Sequence, residues 1–289
     1  MPLSKTLAQK SIFMQDKIEY EIKPQVKLSL GLRELWQYRE LFYFFTWRDI
    51  KVKYKQAFLG MAWAILQPLL LMVIFTVVFN RGLNIQSEGL PYPIFVFSGL
   101  IVWQVFSTGL GNAANSMVAN AQIIKKIYFP RIIIPLSAIL TALFDFLFAG
   151  LVFVGLLFFY QVDISIGEWL LCLAGSLFLT VLAASGLSLF LSAWNVKYRD
   201  FQYVIPFFIQ VLFFVSPVLY DAGQFKNGLF STLLKLNPMS GAIHLARVPL
   251  SGQAPDWELL AWSGTTGAVL FLIGLVTFRN MEAYFADLA

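Results

Sequence analysis

The residues best suited to binding chemistry lie in one short stretch, Ile123–Arg131, which we call the basic segment. It reads IIKKIYFPR, so three cations and a proline stand between two long apolar stretches. Cationic side chains form strong, charge-assisted hydrogen bonds with the carboxylates of another molecule. A connection this short cannot fold as a domain. The basic segment is therefore predicted to be a loop that faces the cytoplasm and that a separate protein binds.

Catalytic motifs are absent from the sequence. It contains neither a G-x-x-x-x-G-K-[ST] phosphate-binding loop nor an H-E-x-x-H metal motif. The single cysteine, Cys172, excludes an internal disulfide and a multi-cysteine metal site. The single histidine, His244, has no histidine or cysteine near it in the sequence, so we interpret it as a polar side chain rather than a metal ligand or a base. We expect a chain with no catalytic residues, no metal and no cofactor of its own.

Composition places these residues in a membrane protein. The chain has 289 residues, of which 58% are hydrophobic and only 13% charged, whereas soluble domains carry about a quarter charged residues. A spanning helix needs about 20 apolar residues, and six segments are long enough and lack the alternation of barrel strands. We therefore predict an all-α membrane protein. Its predicted spans are residues 59–79, 93–117, 132–160, 169–194, 201–220 and 259–278.

The basic residues set the predicted orientation. They concentrate in the N-terminal region, in the connection between the second and third spans, and in the connection between the fourth and fifth. Lysine and arginine are retained on the cytoplasmic side, and an even number of spans puts both termini on one side. We predict that both termini are cytoplasmic. The net charge of +5 reflects this topology and does not indicate a nucleic-acid partner.

Two segments precede the first span. Within residues 1–30, the segments 17–22 and 25–30 alternate polar and apolar side chains and are joined at Pro24. This pattern predicts a strand-like cytoplasmic extension that is either disordered in isolation or docked onto a partner. Residues 31–58 predict an amphipathic helix at the membrane interface, which serves either as a simple anchor or as an anchor that also contacts a partner. Its aromatic face is expected in the acyl boundary: Leu35, Tyr38, Phe42 and Phe45. Its cationic face points to headgroups or a cytosolic partner: Arg48, Lys51 and Lys55.

The connection between the fifth and sixth spans, residues 221–258, is too apolar for a solvated loop. It holds two apolar patches separated by Asn237-Pro238, and each patch is too short to span a bilayer. We predict a pair of half-length, re-entrant helices on the outer side of the membrane.

Two features inside the spans could serve a transport path. Asp145 is an acid deep in the third span, where it must face the bundle or a wet path. It is either a hydrogen-bonded structural acid or part of a pathway, and no cation lies at matching depth in another span. The second span carries aromatic and hydrogen-bonding residues that suit contact with sugar rings: Trp103, Gln104, Phe106 and Ser107. The small residues Ser107, Gly111 and Asn115 equally suit close helix packing.

Several motifs together resemble one family. They read QIIKKIYFPRIIIPLS between the second and third spans, NVKYRDFQYVIPF entering the fifth, SPVLY ending it, and LLKLNPMSGAIHLAR after it. The chain from about Leu32 to its C-terminus resembles the permease subunit of type-2 ABC exporters for polysaccharides, the group that moves O-antigen, capsule or teichoic acid chains.

The resemblance implies a homodimer in the bacterial cytoplasmic (inner) membrane, with two copies of a separate ATP-binding subunit that holds the ATP and Mg. It implies a lipid-linked glycan as substrate, whose pyrophosphate meets basic residues at the cytoplasmic interface. It implies a coupling helix that docks on the ATPase through Ile123, Lys125, Lys126, Tyr128, Pro130 and Arg131. It also implies an outer gate around Pro217, Asn237, Pro238, His244 and Arg247.

Three alternatives stay open on the residues alone. A type-2 exporter of a drug or a small lipid would have the same architecture and another cargo. An integral-membrane glycan-transferring enzyme would need acids or histidines clustered at one face, and those of the outer connection are dispersed: Asp221, His244, Asp256 and Glu258. A secondary transporter would have only Asp145 as a coupling site, and no inverted repeat is apparent.

Overall fold

The computed structural model describes residues 32–55, 60–82, 89–225, 228–282 and 285. Within these ranges the chain forms helices joined by turns, with no strand, as expected for an all-α membrane protein. The predicted strand-like extension, residues 1–30, lies outside the described ranges.

The helices follow one another in the order of the predicted segments. Before the spans come α1 (Leu32–Gln37) and α2 (Arg39–Lys55). The first half of the transmembrane region contains α3 (Ala62–Phe75), continued by a π-helical turn (Thr76–Gly82), then α4 (Tyr92–Ala119), α5 (Ala121–Ile124) and α6 (Ile133–Phe159). The second half contains α7 (Ile166–Lys197), α8 (Phe201–Val215), a 3₁₀ turn (Ala222–Gln224), α9 (Leu229–Leu236), α10 (Pro238–Ser251) and α11 (Trp257–Glu282).

Among the described residues, five helices are long and apolar enough to cross a membrane: Ala62–Asn80, Tyr92–Ala119, Ile133–Phe159, Ile166–Lys197 and Trp257–Glu282. The remaining predicted span, residues 201–220, is only partly helical. α8 has 15 residues, about 22 Å at 1.5 Å per residue, against a hydrocarbon core of about 30 Å. It ends where Ser216 turns extended, with ψ of 140°, because a residue that precedes proline avoids the α conformation.

The transmembrane core forms around α4. This helix packs against α6 on one side and α7 on the other, while α10 covers its first half. α7 in turn packs along α11. The two helices approach most closely at Gly186 and Gly274, where a Cβ on Gly274 would overlap the carbonyl of Gly186. Small residues let helix backbones approach in this way.

A second apolar cluster closes the end of the bundle at which α5 lies. It unites α2, the basic segment and the end of α11, through buried residues that include Phe45, Ile124, Phe129, Phe278 and Phe285. Sequence-distant segments that share one core move together more readily than segments joined only by a loop. The basic segment is therefore mechanically tied to both α2 and α11.

The outer connection forms two short helices, α9 and α10, as its apolar patches predict. Asn237 caps α10 by accepting a hydrogen bond from the Met239 backbone N–H at 3.0 Å, and Pro238 occupies the first turn. Ser263 of α11 donates to the Asn237 carbonyl at 3.1 Å and accepts from the Gly241 N–H at 3.0 Å. α10 is thereby fixed against the bundle.

Candidate functional site

The basic segment presents a short exposed tip between two buried anchors. Ile124 and Phe129 are buried in the second apolar cluster. Between them Lys125, Lys126, Ile127 and Tyr128 are exposed, with 61% of Ile127 and 76% of Tyr128 accessible. An apolar and an aromatic side chain left outward beside two cations form a surface that suits a protein partner.

The far end of the basic segment is held by the end of α11. The Arg131 backbone N–H donates to Glu282 Oε1 at 3.2 Å, and the Arg131 guanidinium donates to the Glu282 carbonyl. Arg279 donates to Glu282 Oε2 at 2.7 Å. Arg131, predicted to contact a partner, is thus engaged within the chain here, while Pro130 is buried beside it. Glu282 is a residue that sequence reasoning missed, because nothing in its neighbourhood signals the contact.

The faces of α2 are arranged differently from the prediction. Leu35, Tyr38, Phe42 and Phe45 do share one side, but they pack against the second apolar cluster. The expectation that this face enters the acyl boundary is wrong, because a helical apolar stripe can bury against protein as well as lipid. The large apolar side chains that α2 leaves outward are Tyr43, Phe44, Trp47 and Val52.

The predicted cations of α2 differ in their surroundings. Arg48 binds the neighbouring Asp49 at 2.7 Å and lies 4.8 Å over the Phe45 ring. Lys51 lies 5.4 Å over the Trp47 ring. Lys51 and Lys55 are exposed, and neither has an acid partner among the described residues. Exposed cations of this kind remain available to headgroups or to a partner protein.

Asp145 has partners that the sequence did not reveal. It is buried in α6, where Lys53 of α2 pairs with one carboxylate oxygen and the Tyr54 hydroxyl donates to the other. Burial, followed by the hydrogen bond to Asp145, raises the pKa of Tyr54, so the phenol stays protonated and donates. The sequence analysis considered only cations in the other spans, whereas Lys53 comes from the helix that precedes the spans.

Asp145 lies in a cleft bounded by α2, α3, α4 and α6, which we call the polar cleft. Its inner part has a volume of about 230 Å³ and is lined by polar side chains that include Lys53, Tyr54, Gln67, Gln104, Thr108, Asn112 and Asp145. Its outer part, meaning the part nearer the surface of the bundle and not the outer side of the membrane, has a volume of about 870 Å³. It opens toward α5 past Arg48, Asn115 and Gln122. Lys53 and Asn112 line both parts.

The structure separates the residues predicted to line a sugar path. Gln104 and Asp145 face the polar cleft together. Trp103 and Phe106 are buried in the core, where the Trp103 ring lies 5.2 Å from Phe106 and 5.5 Å from Phe213. Ser107 donates to the Gln104 carbonyl at 3.4 Å and does not line the cleft. Sugar contact by these residues stays a prediction.

The residues predicted for an outer gate converge around the bend after α8. The buried Arg247 donates to the carbonyls of Pro217 and Val218, both at 2.7 Å, and to that of Phe95 at 3.2 Å. Burial lowers the pKa of Arg247 to about 9. Asn237, just before Pro238, donates to Ser216 Oγ at 2.9 Å. The bend is therefore fastened to α4 and α10 from two sides.

His244 lies one turn before Arg247 and has a different role. Its Nε2 accepts a hydrogen bond from the Asp256 backbone N–H at 3.0 Å. Burial lowers the pKa of His244, with a smaller opposing effect from Asp256, so the ring stays neutral and keeps this lone pair. His244 thus joins α10 to the start of α11, as a polar structural contact rather than a base.

Most of the chain is similar to known proteins. Residues 40–250 match the ABC-2 type transporter family. An O-antigen export system permease protein RfbA from Klebsiella pneumoniae is 31% identical over 243 residues, covering 84% of this chain and 92% of the relative. An RfbA from Myxococcus xanthus is 27% identical over 263 residues, covering 89% and 98%. A polysialic acid transport protein KpsM from Escherichia coli is 23% identical over 242 residues, covering 81% and 91%.

Proposed function

The chain belongs to the ABC-2 type transporter family, and from this premise we propose that it exports a lipid-linked polysaccharide across the bacterial inner membrane. It is a multi-pass membrane protein whose relatives are permeases of polysaccharide exporters. In the proposal two copies form the channel, and two copies of a separate ATP-binding subunit supply ATP hydrolysis. The substrate is a glycan that resembles O-antigen and is carried on a lipid.

The exposed tip of the basic segment is the observation that carries this proposal. Lys125 and Lys126 offer charge, Ile127 and Tyr128 offer apolar surface, and the flanking Ile124 and Phe129 hold the loop in place. A loop anchored at both ends is already ordered, so binding through its tip loses less conformational entropy, which favours binding. The tip is the proposed contact with the ATP-binding subunit. Lys51 and Lys55 of α2 lie instead beside Phe144 of α6, away from the tip.

Force applied to the tip has three routes into the bundle. Phe129 packs on Phe45 of α2 with ring centroids 5.7 Å apart. Arg131 bonds Glu282 at the end of α11. The segment also continues directly into α6. Movement of an attached ATPase would therefore displace α2, α6 and α11 together, which supports transmission rather than a flexible tether.

The outer end of the proposed path lies at the bend after α8. In the proposal α8 and the following bend complete a sixth crossing, α9 and α10 are re-entrant, and the bend is the outer gate. The three carbonyls held by Arg247 support this assignment, because a guanidinium that bridges separate segments can hold a closed state and release it when the segments move. Both termini are then cytoplasmic.

The proposal is tested by isolating the protein with what it binds. Tagged wild type and a Lys125→Glu/Lys126→Glu variant are purified from native membranes in mild detergent, and copurifying chains are identified by mass spectrometry. We expect wild type to bring down a chain with a G-x-x-x-x-G-K-[ST] motif in a one-to-one ratio, and the variant to lose it.

The matched control is Lys125→Arg/Lys126→Arg, which keeps both charges and should keep the ATPase. Loss of the ATPase in this control would assign the effect to folding rather than to charge. A wild type that brings down no such chain would contradict the proposed function, and an ATPase retained by the charge-reversed variant would contradict the assigned contact.

A further inference from the structure

The polar cleft contains side chains that have no hydrogen-bond partner within the part of the chain that the structure describes. Gln67 of α3 and Gln104, Thr108 and Asn112 of α4 line it. Among the described residues none of these four side chains makes a hydrogen bond. Other polar side chains of α4 do bond, as when Asn115 donates to the Gly111 carbonyl at 2.9 Å. Among the hydroxyl and amide side chains of α4, the unpartnered ones are therefore those that line the cleft.

These groups form a stripe along a spanning helix. Gln104, Thr108 and Asn112 are each four residues apart, so they stand one above another on one face of α4. α4 is long and apolar enough to cross a membrane, and 78% of its most apolar 18-residue stretch is buried inside the protein. An unsatisfied polar group in a dry, apolar setting costs several kcal/mol, roughly 2–7. A stripe of them is stable only if water or a ligand fills the cleft.

One wall of the cleft is held by a single charged contact. α2 forms one wall of the cleft; its Lys53 lines both the inner and the outer part, and the Asp145 that it pairs with lines the inner part. Lys53 belongs to the helix whose Phe45 packs on Phe129, next to the exposed tip. A displacement of α2 relative to α6 would strain this pair.

We propose that the polar cleft is a hydrated binding site for the hydroxyl groups of a sugar chain, closed by the Lys53–Asp145 pair. This inference rests on the proposed function and adds the residues that contact the glycan. Amides and hydroxyls both donate and accept, as sugar hydroxyls do. The one cation and the one acid of the inner part neutralise each other, so a charged ligand would meet no net opposite charge, whereas a neutral, hydroxyl-rich ligand is matched.

Water access is measured by single-cysteine labelling. In the assembled exporter in native membranes, Cys172→Ala removes the native thiol, and Thr108→Cys or Asn112→Cys is added. A charged, membrane-impermeant methanethiosulfonate is the probe. Leu147→Cys is the control, because Leu147 lies two residues from Asp145 and is 59% exposed on the outside of α6. We expect labelling at positions 108 and 112 at least tenfold faster than at 147; equal rates would overturn the proposal.

Closure by the ion pair has its own readout in the same assay. Asp145→Asn removes the charge that holds Lys53 while keeping a polar side chain of similar size. We expect the labelling rate of the Thr108→Cys variant to rise severalfold in this background. An unchanged rate would overturn the closing role of the pair.

Sugar contact is measured by export. Thr108→Val and Asn112→Leu replace hydrogen-bonding groups by apolar ones. Thr265→Val is the control, because this exposed hydroxyl donates to the Ala261 carbonyl of its own helix, α11, and lies outside the cleft. With equal protein in the membrane and the ATPase still bound, we expect at least a tenfold loss of surface glycan for the double cleft variant and none for the control. Wild-type export by the double variant would overturn the inference.

Failure of the inference and failure of the proposed function are distinguishable. If Lys125→Glu/Lys126→Glu abolishes surface glycan and the cleft variants do not, only the cleft assignment is wrong. If neither set of variants changes surface glycan, the proposed function itself is wrong.

Discussion

The buried carboxylate of Asp145 is held by two residues of α2. Lys53 pairs with one of its oxygens, and the Tyr54 hydroxyl donates to the other. The two ends of the ion pair differ in burial, since the Asp145 side chain is 8% exposed and that of Lys53 is 38% exposed. A partly exposed lysine that loses its partner can turn its charge toward water. A buried carboxylate that loses its cation cannot, so the two single substitutions should be unequal in cost.

The first prediction concerns this inequality. Lys53→Met should destabilise the purified protein more than Asp145→Asn, because the first strands a buried charge and the second leaves a polar group beside Tyr54. Removal of one partner of a fully buried pair costs roughly 3–5 kcal/mol, and the exposure of Lys53 places this case at or below that range. Thermal unfolding in detergent gives the ranking. Lys51→Met, at an exposed lysine of the same helix, is the control and should change little.

The second prediction concerns His244. Its lowered pKa means that the unfolded chain, with an ordinary His pKa near 6.5, takes up a proton that the folded ring resists. Stability is therefore present above pH 6.5 and is lost as pH falls below it, by at most about 1.4 kcal/mol at pH 5.5. The Tm decrease between pH 7.5 and 5.5 should be smaller in His244→Gln than in wild type. An equal decrease in both would show that the ring is free to protonate in the folded state.

At the scale of elements, apolar length located the long helices to within a few residues. Residues 93–117 and 259–278 were predicted as spans, and α4 and α11 extend them only slightly, to Tyr92–Ala119 and Trp257–Glu282. Span 201–220 was placed too long, because Ser216 before Pro217 turns extended and breaks the helix inside an apolar run. Apolar length measures what can be buried, whereas a proline decides where the helix ends.

Contacts between elements were the part of the site that sequence could not supply. Lys53 and Asp145 are 92 positions apart, and Arg131 and Glu282 are 151 apart. Periodicity reveals which residues of one helix share a face, but it does not reveal which other helix that face meets. For this reason the aromatic face of α2 was predicted correctly as a set and assigned to the wrong environment.

The third prediction concerns the crossing of α7 and α11. Gly274→Ala places a methyl group against the Gly186 carbonyl, so the helices must separate. We expect a Tm decrease and poor recovery from the membrane, as for overpacking that costs typically 1–3 kcal/mol. Gly155→Ala is the matched control, since nothing lies within 4 Å of a Cβ there, and alanine favours helix over glycine by about 1 kcal/mol. Equal behaviour of the two variants would contradict the close crossing.

The fourth prediction concerns the brace between the basic segment and α11. Glu282→Ala removes the acceptors for the Arg131 N–H and for Arg279 together. The exposed tip is untouched, so the ATPase should stay bound, while export per ATP hydrolysed should fall severalfold. Both rates are measured on the purified complex in vesicles. Glu258→Ala removes an exposed ion pair with Lys235 near the other end of α11 and should leave the ratio unchanged; a fall in the control alone would contradict the brace.

At the scale of the whole molecule, the spans are buried very unevenly. In α4, 78% of the most apolar 18-residue stretch is buried inside the protein, whereas in Ala62–Asn80 only 11% of the corresponding stretch is buried. α3 and α8 lie together, with Phe75 and Phe213 stacked at 5.9 Å, and both leave large apolar side chains outward. A protomer built in this way has a rigid centre and an apolar flank, which supports the proposed pairing of two copies with lipid around them.

In the proposed function, this chain moves a glycan across the membrane when a bound ATPase displaces its basic segment. The most direct test reconstitutes the copurified complex in sealed vesicles with the lipid-linked glycan of the source cells, and follows the glycan with an enzyme that cleaves it on one side only. We predict ATP-dependent transfer by wild type and none by Lys125→Glu/Lys126→Glu. Transfer that needs no ATP, or an ATP-driven transfer that survives in the variant, would contradict the account.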